Sequence, residues 1–284
     1  MARNLLGAGF ALTVFNRTAE RCQTLVDAGA KRAISPAALA AESDVVVTAV
    51  ADGDAVAELI AGADGVLDGA SRGTLLVEMS TIGPVRAREV ASWLQGGGAA
   101  MVDAPVSGSV ALAESAMLTT VAGGAPRDFE RALPVLRAMT KAQFHVGPVG
   151  AGAAMKLALN LIIASTTHSV SEALVIAEES GIDREKAYEV IEQSAVGSPF
   201  VRYKRAAFTD PDGEPVAFSL DLMRKDLGLA LELGHGAEVP MLSASAAYEA
   251  ITLAVGLEGG GGDLVRLADA LRQISQDKAR KETQ

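Results

Sequence analysis

Lys156 and Asn160 stand four residues apart in Gly150–Asn160 (GAGAAMKLALN), a stretch free of helix breakers after Gly152. That spacing puts both side chains on one face of a helix, one turn apart. A lysine among apolar neighbours needs a reason, since buried lysines are rare unless paired or functional. A lysine whose stem lies along the helix while its ammonium reaches water would look the same in sequence. Asp103–Ser109 (DAPVSGS) ends a strand and stiffens at Pro105. It then offers two hydroxyls and approachable backbone N–H groups at Ser107, Gly108 and Ser109, a cradle for a carboxylate or simply a turn. Val14–Thr18 (VFNRT) runs from strand into loop, and Asn16, Arg17 and Thr18 bring donors but no acid. At the end of the second strand of a dinucleotide fold, an acid suits NAD and an arginine suits the extra phosphate of NADP. A plain capped turn has the same letters. Phe218–Leu229 (FSLDLMRKDLGL) sets Lys225-Asp226 on an amphipathic helix, ordinarily a surface ion pair.

These side chains need a scaffold to hold them. Up to about residue 148, short apolar runs alternate with helical segments: Leu12–Phe15, Val45–Val50, Thr74–Met79, Ala100–Asp103 and Thr119–Ala122. The runs lack strict alternation, which suits strands covered on both faces. Between them, Thr18 is the expected cap of a helix stopped at Gly29, and Ser35-Pro36 starts another. A third runs from Pro84 through Trp93 to Gly96–Gly98. Strand and helix in alternation read as an α/β domain over residues 1–149, a doubly wound, Rossmann-like parallel sheet. From residue 150 to 284 the signals are helical. Met155–Glu179 is a long helix, apolar nearly all round and expected to be buried along most of its length. Helices over Arg184–Ser194, Leu220–Leu233, Ser243–Ala254 and Leu264–Ile274 follow, broken by TDPDGEP at 209–215 and EGGGGD at 258–263. The polar tail from Ser275 is expected to fray.

The formal net charge is −10, which disfavours a broad nucleic-acid face. One cysteine, Cys22, cannot pair within the chain, so a reducing, cytoplasmic compartment is the expectation. No run approaches about 20 uninterrupted apolar residues, so no membrane association is expected. His145, His168 and His235 lack ligand spacing, and no metal is expected.

In this order and at these separations, VFNRT, EMSTIGP, DAPVSGS, VGPVGAGAAMKLALN and KDLGLAL resemble the β-hydroxyacid dehydrogenase family. The ending SGS and the VFNRT segment look most like its glyoxylate/succinic semialdehyde reductase branch. The resemblance implies NADP(H), with NAD(H) as the alternative, and a small carboxylate substrate. It implies that Lys156 is the general acid/base and that Asn160 helps place it. Ser107 and Gly108, with Ser109 beside them, would hold the substrate carboxylate. Asn16, Arg17, Thr18, Thr81 and Lys225 would border the cofactor, with Val50 and Ala51 contributing mainly backbone. Here the family's frequent proline after Val50 is absent. A homodimer or homotetramer is implied as well. The family's first strand and GxGxxG turn have no counterpart in these residues, which match from the first helix onward. Cofactor binding by these residues alone is therefore expected to be weak. A non-catalytic relative and an imine-reductase-like enzyme are the competing readings, although the latter usually replaces the lysine.

Overall fold

A computed structural model describes residues 1–282, which fall into two compact units, Met1–Leu157 and a second from Ala158 onward. The first unit carries all eight strands: β1 Thr13–Val14, β2 Lys31–Arg32, β3 Val45–Thr48, β4 Leu75–Glu78, β5 Ala100–Asp103, β6 Val106–Ser107, β7 Leu118–Gly123 and β8 Thr140–Gly147. The main sheet runs β3-β4-β5-β7-β6, with β8 paired to β7. β1 and β2 form a separate parallel pair, and no ladder among the described residues joins β1 to β3.

The sheet is parallel across β3, β4 and β5, as the alternating pattern predicts, and again between β7 and β8. To the expected parallel sheet the structure adds antiparallel pairings where β7 meets β5 and β6. The cause is connection length. Only residues 108–117 separate β6 from β7, too few for a covering-helix crossover, so the chain turns back.

Both faces of the sheet are covered, which explains the near-continuous apolar runs. On one face Val46, Leu76 and Met101 pack with Ala87, Val90 and Leu94 of the helix Gly83–Gly96. On the other, Leu75, Val77 and Val102 meet Phe129, Ala132 and Leu136 of the helix Pro126–Met139. All four residues of β4 are buried. Thr48, Glu78 and Asp103, the last residues of β3, β4 and β5, are paired in register, so a buried polar row lies along the carboxyl edge of the sheet.

Ser35 caps the helix Pro36–Ala41 by accepting the Ala38 N–H, as its Ser-Pro signature predicts. Thr18 stands at the start of a short 3-10 turn, Ala19–Cys22, without a side-chain cap bond. β2, β6 and β8 are strands that the apolar pattern did not reveal. β2 and β6 are two residues long, and β8 reads TKAQFHVG with most of its side chains at least partly exposed.

The long helix spans Ala151–Glu179 and crosses the division between the units two turns after its start. It is not buried all round. Ala153, Leu157, Asn160, Ala164, Thr167, Ser171 and Leu174 form one buried stripe at helical spacing, while Ile162 and Ile176 are exposed. By length and composition the helix could cross a membrane; its best 18-residue window has a mean hydropathy of 1.3 and is 33% buried. The sequence pattern passes it over because Lys156 and Asn160 interrupt the apolar run.

The second unit is helical throughout: Arg184–Gln193, Pro199–Tyr203, Arg205–Thr209, Leu220–Gly236, Leu242–Glu258 and Leu267–Glu282. The tail expected to fray from Ser275 continues this last helix to Glu282, and residues 283 and 284 lie outside the described residues. The glycine run at 259–262 delivers Asp263, whose buried carboxylate receives Lys204 Nζ at 2.8 and 2.9 Å and the N–H groups of Ala217, Phe218 and Val265. That junction fixes the start of the helix Leu220–Gly236.

Gly123 and Gly152 set how closely the long helix approaches the sheet. A Cβ on Gly152 would stand 2.5 Å from the Asp103 carbonyl oxygen and 2.6 Å from that of Val121, both rigid backbone. Gly152→Ala should lower unfolding free energy by about 1–3 kcal/mol in urea denaturation, despite alanine's better helix propensity.

Candidate active site

In the first unit the site begins with one carboxylate. Asp103, 1% exposed, accepts the Gly150 N–H on Oδ1 at 2.8 Å and the Ala153 N–H on Oδ2 at 2.7 Å. It thereby satisfies two otherwise orphaned donors at the start of the long helix and places negative charge at its positive end. Burial pushes its pKa up to about 6, against the pull of the backbone N–H groups of Gly150 and Ala153. Lys156 follows Ala153 by three residues on this anchored turn and is half-buried.

β5 continues past Pro105 into β6, which presents Ser107 half-buried at its end. Gly108 adopts φ +140°, and a Cβ there would strike Leu118 Cδ2 at 2.7 Å, so the turn requires glycine. Ser109 caps the helix Val110–Glu114, its Oγ accepting the Leu112 N–H at 3.3 Å. Its hydroxyl proton stays available as a donor. The three predicted carboxylate-binding residues thus form one turn.

The loops after β3 and β4 carry Val50, Ala51 and Thr81 at the carboxyl edge of the sheet, where open α/β folds bind ligands. Val50 N–H donates to Ser80 Oγ at 2.9 Å, and Ser80 N–H to Glu78 Oε1 at 2.6 Å. After β1, Asn16 Oδ1 accepts the Thr18 N–H at 2.9 Å and shapes the turn. Arg17 is exposed and lies 3.7 Å from Glu58 Oε2.

In the second unit, Asn160 is 1% exposed and donates through Nδ2 to Asp226 Oδ2 at 2.5 Å. Asp226, 2% exposed, also takes the Lys225 ammonium at 2.7 Å. Lys225-Asp226 is therefore not a surface pair: the aspartate is buried and tied to the residue four positions beyond Lys156. Asn160 Oδ1 remains buried without a hydrogen-bond partner. A buried orphan acceptor is costly unless a donor arrives, which marks the Asn160 amide as a place for a ligand hydroxyl or ammonium.

Asp103, Glu78 and Asp226 escaped sequence reasoning as site residues. Asp103 and Glu78 close strands, and Asp226 stood in a dipeptide that usually lies in solvent. The available signal was an acid ending two consecutive apolar strands, which has to be satisfied somewhere. Other residues have ordinary roles. His145 stacks on Phe129 and bonds the Gly124 carbonyl, His168 faces Glu172, and Cys22 is buried in a small core with Val14 and Ala30.

Known proteins resemble this chain along most of its length. Residues 1–147 match the NAD binding domain of 6-phosphogluconate dehydrogenase. Residues 150–271 match the NAD-binding domain of NADP-dependent 3-hydroxyisobutyrate dehydrogenase. Two Arabidopsis thaliana proteins are each 33% identical. Glyoxylate/succinic semialdehyde reductase 2, chloroplastic, aligns over 98% of this chain and 78% of its own. Glyoxylate/succinic semialdehyde reductase 1 aligns over 96% and 94%. The crystal structure of 3-hydroxyisobutyrate dehydrogenase from Salmonella typhimurium superposes with a TM-score of 0.87 at 28% identity, covering 94% of each chain.

The raised pKa of Asp103 has a consequence for stability. An unfolded aspartate titrates near 4. Between about pH 4 and 6 the folded protein holds a proton that the unfolded chain releases, so this group's contribution is complete below pH 4 and is lost as pH rises through 6. The difference in unfolding free energy between wild type and Asp103→Asn should therefore change across pH 4–6, by up to about 3 kcal/mol. Denaturant midpoints at half-unit pH steps check this; parallel profiles would contradict it.

Proposed function

We propose that this chain, which belongs to the β-hydroxyacid dehydrogenase family, is an NADP(H)-preferring oxidoreductase that transfers hydride between the nicotinamide and a small β-hydroxyacid or semialdehyde. As a family member it is an NAD(P)-dependent oxidoreductase acting on small hydroxyacids. The substrate would be of the glyoxylate, succinic semialdehyde, 3-hydroxyisobutyrate or tartronate semialdehyde type. The observation that carries the reading is the pairing of Lys156 with Asn160 on a helix whose first turn is fixed by Asp103.

When bound, the nicotinamide supplies or accepts the hydride. The protein's own residues do the rest. Lys156 protonates the carbonyl oxygen on reduction and takes the hydroxyl proton on oxidation, and its charge stabilises the developing alkoxide. Asn160, held through its Nδ2 by Asp226, keeps its carbonyl oxygen fixed and open to a donor. Ser107, Gly108 and Ser109 receive the substrate carboxylate on hydroxyl and backbone N–H groups. Asn16, Arg17 and Thr18 hold the ribose phosphate; Val50, Ala51, Thr81 and Lys225 complete the cofactor contacts. A homodimer or homotetramer accords with the exposed Ile162 and Ile176 on the long helix.

Lys156→Ala should lower kcat by about 10²–10⁴-fold while leaving cofactor affinity nearly unchanged. Steady-state turnover beside a cofactor titration reads both quantities, and near wild-type kcat would make the lysine structural. Because Arg17 stands where an acid would repel the 2′-phosphate, kcat/KM should be higher with NADPH than with NADH. A preference for NADH of about tenfold, ~1.4 kcal/mol, would reverse the cofactor assignment.

A further inference from the structure

Glu78 is a buried titratable group with no part in the chemistry above. It is 0% exposed, at the end of the fully buried strand β4. Such a carboxyl is costly to bury, and for stability alone an apolar residue of similar size would serve as well or better. Its surroundings explain its use. Thr48, its register partner at the end of β3 and only 3% exposed, donates its hydroxyl to Glu78 Oε2. Ser80, 5% exposed, donates its backbone N–H to Oε1 at 2.6 Å. The Ser80 hydroxyl in turn accepts the Val50 N–H at 2.9 Å. Both oxygens of one carboxyl are thus engaged, and the loop after β3 is tied to the loop after β4 through Ser80. Burial also pushes the Glu78 acid above the usual carboxylate range, and the neighbouring Asp103 adds to that rise.

We infer that Glu78 is a positioning residue for cofactor binding, which fixes through Thr48 and Ser80 the two loops that present Val50, Ala51 and Thr81. The inference rests on the assignment of those loops to the cofactor. It also implies a division of labour within them. Ser80 is spent on the scaffold, and the Val50 N–H is spent on Ser80, so neither is open to a ligand. Glutamate suits the post because it offers an acceptor on each of two oxygens. Glutamine offers one acceptor and places an N–H₂ against the Thr48 hydroxyl.

The test separates positioning from folding. NADPH is titrated into wild type, Glu78→Gln, Ser80→Ala and Ser80→Thr by nucleotide fluorescence, with kcat, substrate KM and Tm measured on the same preparations. Loss of one such hydrogen bond corresponds to roughly a 2–10-fold effect. Ser80→Ala, which removes the tie between the loops, and Glu78→Gln, which keeps one acceptor and loses the other, should therefore each weaken NADPH binding by about 2–10-fold. At saturating NADPH, kcat and substrate KM should change far less than the cofactor Kd. Ser80→Thr, which keeps the hydroxyl, should bind NADPH more tightly than Ser80→Ala. If Glu78→Gln does not fold, the Ser80 pair decides. A lowered Tm with the cofactor Kd unchanged in the folded variants overturns the inference and makes the network purely structural. Because the residues without the glycine turn are expected to bind weakly, the titrations run to the highest soluble nucleotide concentration. Wild type that shows no binding of NADPH or NADH even there overturns the cofactor assignment of the loops, and the inference with it.

Discussion

The carboxylate of Asp103 is the constraint on which the rest of the arrangement depends. It sits at the end of a buried parallel strand and accepts two N–H groups from the start of the long helix. Two glycines, Gly123 and Gly152, allow the backbones to meet at distances no side chain would tolerate. The contact joins the element richest in long-range order, a sheet covered on both faces, to the element that bears Lys156. Because both carboxylate oxygens are used, the first turn of the helix is fixed in rotation as well as position.

The same logic extends along the sheet edge. Thr48, Glu78 and Asp103 close three neighbouring strands in register, and none of the three faces solvent. A doubly wound sheet directs ligands to the carboxyl ends of its strands, where loops diverge and backbone groups lack partners. Here Thr48 spends its hydroxyl on Glu78, Glu78 accepts from the loop after β4, and Asp103 accepts from the helix start. The polar row therefore sets the shape of the edge from within. In the helical unit Asp226 does the corresponding work, holding both Asn160 and Lys225. Lys204 and Asp263 fix the start of the helix that carries Lys225 and Asp226.

Chain order and element type were legible because the covering of a sheet on both faces leaves a strong one-dimensional trace. Val45–Thr48, Leu75–Glu78 and Ala100–Asp103 are apolar runs bounded by turn residues, and the helices between them announce themselves by Ser35-Pro36 and Pro84. β2, β6 and β8 left no such trace, since two-residue strands and a largely exposed strand are defined by hydrogen bonds to neighbours rather than by their own composition. The burial of the long helix was overestimated for a related reason. A helix rich in alanine looks apolar on every side, yet only the stripe from Ala153 to Leu174 faces a core.

By itself the sequence determined the two-part architecture, the helical spacing of Lys156 and Asn160, the Ser107–Ser109 turn and the acid-free end of VFNRT. Each of these follows from residue type and local spacing. What only the tertiary structure decided was which acids matter. Asp103, Glu78 and Asp226 are separated by 47, 30 and 66 residues from the groups they serve. No local pattern records such a pairing, because a buried carboxyl finds its donors only when distant strands and helices close around it.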